Sequence, residues 1–451
     1  MNAIINFDFE RVVGKIKPMH GVNNAPFGSP QTGLNTKQGF ADAGFPVIRN
    51  NDAAQCLFYV GEHSNDILNI FTDFDADETD PANYDFFYTD KYLRDTYACG
   101  GKLLYRLGSK IEAFEKKYQT IPPKDYHKYA RICERVMSHY LEGWADGFRY
   151  DVPYWEIWNE ADNYKANGSN HYWQGTIEQF HEFYEVMAKH LKARFPNQKI
   201  GGPAYPAGIR KGDYIEAFLA YGQAHDVPLD FFSFHNYGTD PYSYVDDVNF
   251  VRGLLDKYGY ADTEIVIDEW NYIRGKKPEE MCYSYDTMPN EKGAAFCAAA
   301  MLAVQKTDLA AFCYYDARPD CSYNGLFTPY TFRRTKTYYS FWQFNKLYKL
   351  EREVYSDTDC RELFVGAAAG DNEACVQLAY YADAGLEPEL VEVSLKGLQG
   401  DTEVTCMLID SQYTNEPVRS EIFTTEQGKI YLRLKDYSTV FLTIKPACLC
   451  E

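Results

Sequence analysis

The 451-residue sequence has no lysine- or arginine-rich run, and its formal net charge is −20. That balance excludes nucleic acid and an anionic membrane surface as partners and favours a soluble, self-repelling chain. No GxGxxG or GxxxxGK[ST] loop occurs, so nothing announces a dinucleotide or phosphate site. A GxSxG elbow is missing, as is any Cys/His cluster, which removes the usual signs of serine-nucleophile and zinc chemistry. The longest small-apolar stretch, residues 293–304, is too short to span a bilayer and reads as a buried helix. Residues 1–17 carry charges throughout, with no apolar core of signal-peptide length. The 12 cysteines, from Cys56 to Cys450, form no CxxC pair, so they are expected to be reduced and mostly buried in a cytoplasmic protein. The acid-rich stretch 73–88 lacks the glycine and terminal glutamate of a calcium loop and reads as a solvated loop bordering a pocket. No metal and no cofactor is expected.

Aromatics are abundant instead, with 39 Tyr and 29 Phe. They can stack on sugar rings, and they also fill cores. The informative stretch is Tyr154-Trp155-Glu156-Ile157-Trp158-Asn159-Glu160, a buried-strand pattern that ends abruptly in an amide and a carboxylate. A second β-branched run, Glu264-Ile265-Val266-Ile267-Asp268-Glu269-Trp270-Asn271, ends the same way. Two carboxylates at the ends of two buried strands are what glycoside hydrolysis needs, so Glu160 and Glu269 are the candidate catalytic pair. Strand alternation would send Asn159 and Glu160 to opposite faces, so at least one must sit just past the regular strand.

Candidate strands recur at 19–23, 46–50, 102–107, 154–159, 199–204, 230–235, 264–269 and 310–316, with helical segments between most of them. The clearest helix covers 176–195, where Ile177, Phe180, Tyr184, Met187 and Leu191 form one stripe. Eight strand–helix units predict an α/β fold, a (β/α)₈ TIM barrel over residues 12–350. From 351 to 451 the pattern changes to short apolar runs separated by turns such as Gly397-Leu-Gln-Gly400 and Glu426-Gln-Gly428, which predicts a C-terminal antiparallel β-sandwich. The alternating residues 3–9 need a sheet to join and are expected to supply one of its strands. Active sites of such barrels lie at the carboxyl ends of the strands. Those ends carry His20, Asn23, Arg49, Asn50, Arg106, Asn159, Glu160, His235, Tyr237, Glu269 and Asp316. Trp158 and Trp270 flank the two carboxylates and are taken as substrate-binding.

Trp155-Glu156-Ile157-Trp158-Asn159-Glu160 resembles the fourth-strand motif of glycoside hydrolase family 39, the β-xylosidases and α-L-iduronidases of clan A. Ile267-Asp268-Glu269-Trp270-Asn271 resembles that family's nucleophile strand. The resemblance implies a barrel with a small β-sandwich after it, Glu160 as general acid/base and Glu269 as nucleophile. It also implies Asn159 on the sugar 2-hydroxyl, Tyr237 hydrogen-bonded to Glu269, and His235 lining the pocket. Many members have proline after the acid/base, where this chain has Ala161. The Asp-Glu-Trp-Asn spelling is shared with the arabinofuranosidases of family 51, and no tryptophan marks the end of the eighth strand. The expected activity is that of a retaining, β-xylosidase-like glycosidase acting on a carbohydrate substrate. Arabinosidase, galactosidase or uronidase specificity, a carbohydrate-binding barrel without turnover, and a homo-oligomer stay open.

Overall fold

The computed structural model describes residues 3–29, 32–52, 65–109, 119–206, 208–211, 213–320, 322–424 and 428–447. Eight parallel strands close a barrel: Gly21–Asn23, Val47–Arg49, Lys102–Leu107, Tyr154–Ile157, Ile200–Tyr205, Phe231–Gly238, Glu264–Tyr272 and Leu309–Tyr314. Gly21 opposite Cys313 and Val22 opposite Tyr314 seal the first strand to the last. The expected strand positions hold, with ends shifted by a few residues. Where an amphipathic stripe predicted a helix one is present, the clearest being Ile177–Arg194, capped by a reciprocal Thr176–Gln179 box.

The period-two alternation of the strands builds the barrel interior in layers. Val47, Leu104, Tyr154, Phe231, Val266, Ala311 and Cys313 form a separate apolar cluster at its floor. Two residues further along the same strands stand Arg49, Arg106, Glu156, Ser233 and Asp268, all fully buried. A dry floor therefore carries a charged layer directly above it, towards the carboxyl ends.

The N-terminal strand Ala3–Lys15 is longer than the expected 3–9. It pairs antiparallel with Arg352–Thr358 and parallel with Glu389–Lys396. It thus lies inside a nine-stranded sheet, whose remaining strands are Leu363–Ala369, Ala374–Tyr380, Thr402–Ile409, Thr414–Phe423, Lys429–Leu434 and Ser438–Pro446. Thr414–Phe423 and Lys429–Leu434 are the two edges of this sheet. They curl towards each other until Arg419 Nη1 donates to the Tyr431 carbonyl at 3.2 Å. The sandwich encloses its own apolar core, including Ile5, Phe7, Val376, Val393 and Leu442. Glu291–Gln305, the alanine-rich stretch flagged in the sequence, is a helix buried nearly all round. It packs against both the barrel and the sheet, which is why it has no polar face.

The eight cysteines among the described residues are free thiols, five of them buried. Cys56, Cys321, Cys448 and Cys450 lie outside the described residues, as does part of the expected turn at Glu426. Among the described residues no helix is long and apolar enough to cross a membrane.

Candidate active site

Two backbone irregularities assemble the site. The fourth strand ends at Ile157, and Trp158 and Glu160 then take positive φ values of 71° and 49°. Strand alternation is broken there, so Asn159 and Glu160 both serve the same face. In the seventh strand the register with the sixth slips, Phe234 pairing with Ile267 and His235 with Glu269. Asp268 is bulged out of the count, and both it and Glu269 point inward. Bulges are the usual device for aiming one extra side chain at a site.

The centre is Arg49, fully buried. Its Nε and Nη2 reach Glu156 Oε2 at 2.7 Å, and Nη1 reaches Glu269 Oε1 at 2.7 Å. The same Nη2 lies 2.7 Å from Asn159 Oδ1 and 3.0 Å from Asp268 Oδ2. Glu269 also accepts from Asn51 Nδ2 at 2.8 Å and from the Tyr237 hydroxyl at 2.6 Å. Glu160 accepts from Asn163 Nδ2 at 2.8 Å and sits 2.7 Å from His235 Nδ1. The same nitrogen is 3.5 Å from Glu269 Oε2, and the other ring nitrogen is 3.2 Å from Asp268 Oδ2.

Burial pushes Glu156 up to about 8 and Glu269 up to about 7, with Arg49 opposing both. For Asp268, burial is outweighed by the charges of Arg49 and His235, and its carboxyl lies below the usual range. Burial likewise works to raise Glu160, but the hydrogen bond and charge of His235 hold it low. Burial works to discharge His235, and the carboxylates of Glu269 and Asp268 overcome it, raising the imidazole well above its ordinary value.

The structure brings together Arg49, Asn159, Glu160, His235, Tyr237 and Glu269 from the sequence candidates. Three others it places elsewhere. His20 precedes the first strand, at the amino-terminal end of the barrel. There it packs on Phe344 and Tyr348, 3.3 Å from Asn345 Oδ1, and burial pushes its imidazole down to about 3. Trp158 is fully buried; its indole donates to the Tyr172 carbonyl and its ring meets Trp173 edge-on. Trp270 follows the bulge and so faces the helices, stacked on Phe312 with ring centroids 4.0 Å apart. Both tryptophans are core residues and not sugar contacts. Asp316 does lie past the eighth strand, but fully buried, engaged by Arg318 at 2.8 Å and Asn24 at 3.3 Å. Arg106 pairs with Asp66 beneath the mouth.

Sequence reasoning missed Asn51, Asp268 and Asn163. The run Arg49-Asn50-Asn51-Asp52 at a strand end was the available signal for the first. Glu160, His235 and Glu269 have donor atoms within 4.8 Å of one another and form the one such group of three among the described residues that could hold a cation. Their donors are already spent on Asn163, Asp268, Arg49, Asn51 and Tyr237. What the arrangement can do directly is acid–base and nucleophilic chemistry with two carboxylates.

An eight-stranded parallel barrel with a buried carboxylate pair at the ends of its fourth and seventh strands defines the class: a barrel of the kind that hosts glycoside chemistry. The sequence profile of glycosyl hydrolases family 39 matches residues 48–275, half of the chain, and the chain belongs to this family. It is 28% identical to a beta-xylosidase of Geobacillus stearothermophilus over 191 residues, 40% of this chain and 36% of that protein. The match thus spans about a third of that relative's length. Among solved structures it resembles a glucosidase from Croceicoccus marinus, with TM-score 0.80, 22% identity and coverage of 99% and 100% of the two chains. A monomeric beta-xylosidase from Caulobacter crescentus gives TM-score 0.71 at 17% identity, with coverage of 99% and 100%. These likenesses extend the family's fold over the barrel and the sandwich together.

Proposed function

We propose that this chain is a retaining glycoside hydrolase that removes a small β-linked sugar, with β-xylosidase-like specificity. The observation that carries the reading is a spacing: an oxygen of Glu160 and one of Glu269 lie within 4.8 Å of each other, across His235. Carboxyl groups about 5–5.5 Å apart suit direct attack by one of them, whereas inversion needs roughly 6.5–9.5 Å to admit a water. Glu269 is the nucleophile: Arg49, Asn51 and Tyr237 orient its oxygens and stabilise the carboxylate that must attack the anomeric carbon. Glu160 gives a proton to the departing oxygen and later takes one from the water that releases the sugar. Asn159 spends its carbonyl on Arg49, which supports its amide N–H₂ as the donor to the sugar 2-hydroxyl. Arg49, Arg106 and Arg318 each face a carboxylate, which favours a neutral sugar over a uronate.

A panel of nitrophenyl glycosides, followed by proton NMR of the first product formed, tests this. The β-xyloside should turn over fastest and release the β-anomer first. An α-anomer as first product would overturn the retaining mechanism. Preference for an arabinofuranoside, galactoside or uronide would replace the sugar and keep the chemistry. Sugar binding with no turnover on any substrate would make the chain a binding barrel.

A further inference from the structure

Both nitrogens of the His235 ring are occupied by the protein. Nδ1 lies 2.7 Å from Glu160 Oε1, and Nε2 lies 3.2 Å from Asp268 Oδ2. The ring is fully buried, so it has no remaining polar atom with which to hold a sugar hydroxyl. Asp268, which the proposed two-carboxylate mechanism does not use, is anchored in turn by Arg49 Nη2 at 3.0 Å. A continuous chain therefore runs from the guanidinium that orients Glu269, through Asp268 and His235, to Glu160.

We propose that His235 and Asp268 form a proton-holding dyad behind Glu160, making His235 a positioning residue that keeps one proton between its Nδ1 and Glu160 rather than a ligand of the sugar. Asp268 fixes the hydrogen on Nε2, so Nδ1 is the atom presented to Glu160. The proton has two resting places, Nδ1 and Glu160 Oε1. Moving from Nδ1 to Oε1 it makes Glu160 the acid, and from there it passes to the leaving oxygen. Neutral Nδ1 then turns a lone pair to the Glu160 carboxylate, which strengthens it as the base that takes a proton from water and restores the starting state. No atom is gained or lost over the cycle. The groups that face the ring are Glu160 and Asp162 from the loop after the fourth strand, and Asp268 and Glu269 from the seventh, with Arg49 and Glu156 behind Asp268. Carboxylates on its two sides hold the imidazole charged against its burial.

The inference rests on the reading of Glu160 as the acid/base. For two groups sharing one proton, the pH at which that proton is lost is never lower than for Glu160 alone. His235→Asn should therefore move the basic limb of kcat/KM to lower pH, by about one unit or more. The loss of kcat/KM, which reports the first covalent step, should be confined to substrates whose leaving group needs a proton. Asp268→Asn should shift the limb the same way, and the double variant no further than His235→Asn. In the wild-type protein, nitrogen-15 NMR should find the His235 ring still charged well above pH 6.5, a readout that needs no variant to fold. An unmoved basic limb with a raised KM in His235→Asn would make the histidine a sugar ligand and overturn the dyad, as would a ring that titrates in the ordinary range. Wild-type protein that turned over no glycoside would instead defeat the underlying reading.

Discussion

Arg49→Met removes the group that holds Glu156, Asp268 and Glu269 together while nearly keeping its volume. In the wild type the guanidinium lies within 3.0 Å of Glu156, Asp268 and Glu269. Without it three buried carboxylates face each other with only His235 to compensate. Breaking a buried ion pair by deleting one partner costs about 3–5 kcal/mol, and for a domain of this size that lowers Tm by roughly 5 °C. The sign of the pH dependence is fixed by the directions already present. Burial raises the carboxyls of Glu156 and Glu269 to about 8 and about 7 in the folded chain, against the ordinary glutamate value of 4.5. Between those limits the native state binds protons that the unfolded chain releases, so these two groups lower stability as pH rises through that window. Asp268 acts oppositely, because Arg49 holds it ionised, and that contribution vanishes with the guanidinium. The deficit of Arg49→Met should therefore be largest near pH 8 and smallest near pH 5, read as paired thermal melts. Glu269 keeps Tyr237 and Asn51 as donors, so kcat/KM should fall by about 10²–10³ and not to nothing. A variant equally stable at both pH values, or active within a few-fold of wild type, would refute this account of the charged layer.

Trp270→Ala should cost about 3–5 kcal/mol of stability, measured by thermal melting, because its ring is stacked in the core and not on a sugar; a large rise in KM at unchanged stability would restore its place as a substrate contact. Deleting residues 1–15 removes a strand from inside the nine-stranded sheet. It should lower Tm markedly while any folded protein keeps the pH profile of the full chain, and an unchanged Tm would count against the pairing.

Seven of the eight barrel strands were legible as apolar runs ended by a polar residue, and the fifth, Ile200–Tyr205, only as a short apolar run between helices. Two strands of the sheet were not. Arg352–Thr358 buries only Val354, and Thr414–Phe423 is an exposed edge interrupted by Pro417, so neither carries an apolar pattern. The helix Phe87–Ala98 hid behind the acidic loop before it, whose acids are spent on turns and on Lys128 and Arg131. At the site, residue type identified the two glutamates, Arg49, His235 and Tyr237. Direction was harder to read. Without the positive φ at Trp158 and the bulge at Asp268, alternation misassigns the faces of Trp158 and Trp270 and hides Asp268. Asn51 lay one residue past Asn50, already chosen, beyond the end of its strand. His20 was misplaced because the first strand begins at Gly21, two residues later than the expected start at 19, which leaves it before the strand, at the opposite end of the barrel from the carboxylates.

The central claim is that Glu269 attacks and Glu160 moves the proton, and azide rescue separates the two roles most directly. Glu160→Ala should lose poor leaving groups severely, accept activated aryl glycosides, and stall at release for want of a base. Azide needs no proton removed, so it should accelerate that variant and yield the β-glycosyl azide. With Glu269→Ala, azide should give at best the opposite anomer by direct displacement. A β-glycosyl azide formed by Glu269→Ala would reverse the two assignments, and wild-type rates in both variants would place the catalytic pair elsewhere.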